Sequence, residues 1–108
     1  MTGLSSHVLD AAAGRPAEGL RLTLFRREGD GAFAVVRSGR TDAGGRVAGW
    51  QTLPGAHRLV FDTGAWFEAR GVEAFYPEVA VAFTVGHDGH YHVPLLLSPF
   101  AYSTYRGS

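Results

Sequence analysis

The sequence predicts an all-β domain built as a two-sheet antiparallel sandwich of about eight strands with one short helix. Three observations carry this. Short segments alternate apolar and polar residues, the signature of strands with one face buried. Gly, Asp and Pro separate these segments at close intervals, and a 3.6-residue hydrophobic period is almost absent. The 108 residues suit one domain, 1–108, which at this size buries roughly 65% of the surface of its unfolded chain.

The first strand is expected over Leu4 to Asp10, followed by a turn at Ala13-Gly14-Arg15-Pro16. Leu20 to Arg27 places Leu20, Leu22 and Leu24 on one face and Arg21, Thr23 and Arg27 on the other. Glu28-Gly29-Asp30-Gly31 signals a hairpin into Ala32 to Ser38, and Asp42-Ala43-Gly44-Gly45 signals another into Arg46 to Trp50. A fifth strand spans Arg58 to Asp62. The helix follows, at most about two turns long, with Thr63 as its cap, Trp66 and Arg70 four residues apart and Gly71 at its end. The clearest period-2 strand sets Val79, Val81, Phe83 and Val85 against Glu78, Ala80, Ala82 and Thr84, small enough to admit a close neighbouring layer. His90 to Leu97 and Ala101 to Tyr105 complete the set, punctuated by Ser98-Pro99.

Composition removes several function classes. Basic and acidic side chains balance at ten each, and every cation is Arg. With no basic block to neutralise phosphates, nucleic acid is not an expected partner. The chain has no cysteine, hence no disulfide framework or thiolate zinc site. No apolar run approaches the ~20 residues of a membrane span, and Met1 to Ser6 lacks the pattern of an export signal. The expectation is a cytoplasmic protein without membrane contact. Nucleophile-elbow, P-loop and dinucleotide motifs are absent.

Chemistry is then sought where polar residues interrupt apolar strands. His7 and His92 each project from a strand, and a close pair of imidazoles can take a proton from water and return it to a leaving nitrogen. The competing reading is two ordinary histidines satisfied by carbonyls. His90 and His92 share a strand face and invite a metal, but no carboxylate or thiol stands at a matching place, so no metal is expected. His87 and His90 flank a turn at Asp88-Gly89 and receive no role. Arg46 follows its turn closely enough to offer a guanidinium fork to a carboxylate, ureide or oxyanion, against the alternative of a solvated strand-end charge. The final Tyr105-Arg106-Gly107-Ser108 follows a strand-like run directly, and the expectation is that it forms part of a site instead of a frayed end.

These residues carry a resemblance. Leu4-Ser5-Ser6-His7-Val8-Leu9-Asp10 with Gly14-Arg15-Pro16-Ala17, Gly45-Arg46, Phe75-Tyr76-Pro77-Glu78-Val79, and His90-Tyr91-His92-Val93-Pro94-Leu95-Leu96-Leu97-Ser98-Pro99 running into Tyr102 to Ser108 resemble the 5-hydroxyisourate hydrolases, enzymes related to transthyretin. The likeness covers essentially the whole chain. Its most specific part is the terminal Tyr-Arg-Gly-Ser, which separates the hydrolases from the hormone carriers of the same fold; in the carriers a lysine matches His7. Ala101, where glycine or serine is more usual, and Gly49-Trp50, which matches no motif, are the departures.

The resemblance implies a transthyretin-like sandwich that hydrolyses a ring amide of 5-hydroxyisourate, in urate breakdown, to 2-oxo-4-hydroxy-4-carboxy-5-ureidoimidazoline without a cofactor. It implies His7, Arg46 and His92 as the catalytic triplet. Arg46, Tyr105, Arg106, Gly107 and Ser108 would bind substrate. It further implies a homotetramer, a dimer of dimers with sites in the channel between them. A non-enzymatic carrier of small ligands, with the same fold, is the alternative.

Overall fold

A computed structural model describes residues 1–87 and 89–108. In chain order the elements are β1 (Thr2–Asp10), β2 (Arg15–Pro16), β3 (Arg21–Arg27), β4 (Phe33–Arg40), β5 (Arg46–Thr52), β6 (Gly55–Phe61), α1 (Thr63–Glu68), β7 (Val79–Val85), β8 (His90–Leu97) and β9 (Tyr102–Thr104). One sheet runs β2-β1-β8-β9, with β5 also paired to β1; the other runs β4-β3-β6-β7. The two-sheet sandwich with one short helix is therefore observed.

The core lies between the sheets because each strand buries alternate residues. Thr2, Leu4, Ser6, Val8 and Asp10 of β1 point inward, as do Leu22 and Leu24 of β3, and Leu59 and Phe61 of β6. Leu4, Val8, Leu20, Leu22, Leu24, Leu59, Phe61 and Leu95 have no exposed surface, each worth about 1.5–3 kcal/mol of burial. The opposite face of β1 carries Ser5, His7 and Leu9, only half-buried.

Several expectations are corrected. The additional strand, Arg15–Pro16, pairs with Leu9 and Asp10 after a turn closed by Gly14 N–H on the Asp10 carbonyl (2.8 Å) and by the Asp10 carboxylate on Ala12 and Ala13. The β1–β8 pair is parallel within otherwise antiparallel sheets. Glu28 to Gly31 does close the β3–β4 hairpin. Asp42 to Gly45 does not: β4 and β5 belong to different sheets, so this turn carries the chain across the sandwich. Asp88, at the centre of the expected hairpin before β8, lies outside the described residues, and β7 and β8 likewise sit in different sheets. Thr63 is not the helix cap; Asp62 holds that position, Thr63 is the first helical residue, and its buried Oγ1 has no hydrogen-bond partner among the described residues. Trp66 and Arg70 do meet, the guanidinium lying 3.7 Å from the ring centroid. No helix among the described residues is long and apolar enough to cross a membrane.

Gly49 now has a role. Register along β1–β5 slips between Leu4↔Trp50 and Ser6↔Val47, so β5 carries an extra residue there, and Gly49 takes φ 75°. This bulge reverses the facing of β5. Trp50 and Thr52 are buried above it and Val47 below it, leaving Arg46 on the outer face opposite His7. Uninterrupted alternation from Trp50 would have turned Arg46 into the core.

Candidate active site

Backbone register assembles the site on the outer face of the five-stranded sheet. His7 lies opposite Arg46 across β1–β5, and Ser5, its same-face neighbour, lies opposite His92 across β1–β8. A cavity of about 280 Å³ opens here, lined by Ser5, Arg46, Val47, His90, His92 and Ser108 among others. His7 is not in its lining, but lies on β1 two residues from Ser5 and opposite Arg46, beside the cavity. The structure thus brings His7, Arg46, His92 and Ser108 to one place.

The turn before β5 fixes Arg46 locally. Asp42 accepts the N–H groups of Gly44 and Arg46 on its carboxylate, both at 2.9 Å, and its own N–H donates to the Arg46 carbonyl. Gly45 must be glycine: φ is 76°, and a Cβ there would stand 2.4 Å from the Val8 carbonyl oxygen.

His92 is the most constrained group. Its Nδ1 lies 2.7 Å from Ser5 Oγ, and the same hydroxyl lies 2.9 Å from His90 Nε2. His90 fits because Gly3 is beside it; a Cβ on Gly3 would come within 2.8 Å of its Nδ1. On the other side, Gly107 donates its N–H to the His92 carbonyl at 2.8 Å. A Cβ on Gly107 would sit 2.5 Å from His92 Cδ2, so only glycine lets the terminal segment cross this ring. Desolvation first, then the charges of Arg46, His7 and His90, hold the His92 pKa below 6.5. The imidazole is consequently neutral at pH 7 and able to accept a proton.

Tyr105 and Arg106 face elsewhere within one chain. Both line a cavity of about 300 Å³ with Val81, Phe83, Tyr91 and Val93, and the Arg106 guanidinium stacks 4.4 Å from the Tyr91 ring centroid. A larger cavity, about 560 Å³, lies beside α1 and the 71–77 segment and is lined by no histidine or arginine.

Sequence reasoning passed over Ser5 and gave His90 no part. Ser5 carried a usable signal, since it shares the outward phase of His7; its contact with two residues about 85 positions away did not. His57 was also missed. It is buried, with Nδ1 2.9 Å from the Gly55 carbonyl and Nε2 2.6 Å from Thr52 Oγ1, and it serves the core, not the cavity.

The HIUase/Transthyretin family model matches residues 4–107. The 5-hydroxyisourate hydrolase 2 of Rhizobium meliloti is 48% identical, covering 97% of this chain and 95% of that protein. The mouse 5-hydroxyisourate hydrolase is 46% identical, with coverage of 97% and 94%. Among solved structures, Klebsiella pneumoniae 5-hydroxyisourate hydrolase superposes with a TM-score of 0.90 at 38% identity, covering all of both chains. Sea bream transthyretin in complex with thyroxine gives 0.92 at 34% identity, covering 96% and 93%.

Proposed function

This chain belongs to the HIUase/Transthyretin family, and from that premise we propose that it hydrolyses 5-hydroxyisourate to 2-oxo-4-hydroxy-4-carboxy-5-ureidoimidazoline, within urate breakdown. The observation that carries the reading is the meeting of His92, tethered by Ser5, with Arg46 and His7 on one sheet face. Identity is also higher to the two hydrolases named from Rhizobium and mouse than to the fish transthyretin.

In this reading His92 takes a proton from water, whose oxygen attacks the ring carbonyl. Arg46 holds the polar substrate and the oxyanion, and a protonated ring nitrogen of the histidine pair returns the proton to the departing nitrogen as the ring C–N bond breaks. His7 supplies the second imidazole. Gly107 and Ser108 close the cavity over His92, and Tyr105 and Arg106 complete substrate binding by holding that terminal segment. No cofactor takes part.

The 108 residues act as one domain, in a homotetramer, a dimer of dimers, located in the cytoplasm. Two features support the assembly. β7 and β9 are both edge strands with unpaired backbone, and β7 turns small residues, Ala80 and Ala82, outward. Sedimentation at micromolar concentration is expected to give a tetramer; a stable monomer would overturn the arrangement.

The test of function generates the substrate in place by oxidising urate and follows its ultraviolet absorbance. Wild-type protein accelerates the decay, and His92→Ala and Arg46→Ala each lose at least ~10²-fold. Saturable ligand binding by a folded protein without turnover would instead favour a carrier, the second reading that the transthyretin likeness supports.

A further inference from the structure

Ser5 Oγ stands between two imidazoles, 2.7 Å from His92 Nδ1 and 2.9 Å from His90 Nε2. A hydroxyl has one proton, so it can donate to only one of these nitrogens and must accept from the other. Two fully bonded arrangements exist. In one, His92 Nδ1–H donates to Ser5, whose hydroxyl donates to His90 Nε2, leaving His92 Nε2 free to accept a proton. In the other, His90 Nε2–H donates to Ser5, Ser5 donates to His92 Nδ1, and His92 Nε2 carries a hydrogen it can give away. All three side chains line the cavity, and His90 is exposed whereas His92 is half-buried, so the chain of three ends on an imidazole that solvent reaches. Gly3 keeps the His90 ring seated at its end of the chain.

We infer that Ser5 and His90 form a proton relay that sets the tautomer of His92 and exchanges its proton with solvent. The inference rests on the hydrolase reading above and deepens it. When His92 acts as base, Nε2 takes a proton from water, Nδ1–H passes to Ser5 Oγ, the hydroxyl proton passes to His90 Nε2, and His90 releases its Nδ1 proton to solvent. The transfers run in reverse when His92 Nε2 protonates the leaving nitrogen, with His90 recovering a proton from solvent. Each histidine returns to its starting tautomer, and the elements of water end on the carbonyl carbon and the nitrogen. The other titratable or charged groups facing His92 are His7 from β1, Arg46 from β5 and the Ser108 segment. None of them bonds to Nδ1 in place of Ser5. Ser5 is therefore a positioning residue.

The experiment compares wild type, Ser5→Ala, Ser5→Thr and His90→Asn, each checked for native near-ultraviolet dichroism. Ser5→Ala is expected to lower kcat by ~10- to 100-fold, by analogy with the loss seen when the outer hydrogen-bond partner of a metal-ligating histidine is removed. KM should hold, and the acid limb of the kcat profile should move. Ser5→Thr, which keeps the hydroxyl, should recover most of the loss. His90→Asn should lose kcat in dilute buffer and regain it with added imidazole, to which wild type is indifferent. Wild-type kcat in Ser5→Ala and His90→Asn, or a His90→Asn loss that imidazole does not repair, would overturn the relay alone. Failure of wild type to hydrolyse the substrate would overturn the hydrolase reading and the relay together.

Discussion

Replacing Gly107 by alanine separates the role of the terminal segment from the stability of the sandwich. The added Cβ would meet His92 Cδ2 at 2.5 Å, Cγ at 3.1 Å and Cβ at 3.3 Å, with ordinary contact beginning at 3.4 Å. The ring must therefore move by about 0.9 Å or the segment must lift away. Ring movement breaks the 2.7 Å bond to Ser5, while lifting the segment breaks the 2.8 Å bond from Gly107 N–H to the His92 carbonyl. A misplacement near 1 Å at a reacting group can cost ~10²-fold, equivalent to ~2.7 kcal/mol of barrier. The stability cost should be small, because among the described residues the segment contributes a peripheral backbone bond worth ~1 kcal/mol and the Arg106 stack on Tyr91, which the substitution does not touch, and no member of the core. Gly107→Ala should thus lose ~10²-fold in kcat/KM with a thermal midpoint within about 4–8 °C of wild type. Substrate decay and a calorimetric scan measure the two quantities. Wild-type turnover in this variant would refute the contact between segment and histidine, and global unfolding would refute the claim that the segment is peripheral.

Two pH effects follow from the histidines. Because burial and neighbouring positive charges lower the His92 pKa, kcat should persist as pH drops to 6.5 and fall only at a lower inflection; an inflection above 6.5 would contradict the neutral-base assignment. His57 governs stability in the same direction. Desolvation is the main cause lowering its pKa, opposed by its bond to Gly55 and assisted by Arg26, so the unfolded chain binds its proton first. Its contribution is complete above the unfolded value of 6.5 and is lost as pH falls from there through the lowered folded value. Denaturant midpoints should drop over that window in wild type and less in His57→Gln, which retains a donor and an acceptor; equal slopes would remove His57 as the cause.

The sequence alone determined the strand content, because alternation over segments such as Val79 to Val85 is a local consequence of burying one face. It also put forward His7, Arg46 and His92 as candidates for a site, and the likeness of Tyr105 to Ser108 to a hydrolase terminus. What it did not contain was which strands become neighbours. Parallel pairing of β1 with β8 joins residues about 85 positions apart, and no local periodicity encodes a partner at that distance. That pairing put Ser5 between His90 and His92 and gave both a setting that the spacing of His90 and His92 did not imply. Arg46 is the sharpest case. Its turn was legible as Asp42 to Gly45, but its facing depends on the extra residue at Gly49, which reverses the strand against β1. The fate of Tyr105 and Arg106 was likewise decided in three dimensions, where the Tyr91 ring draws the Arg106 guanidinium to the side of β8 away from His92. Local chemistry chose the elements; long-range register, set by burial of the core face, chose which side chains would meet.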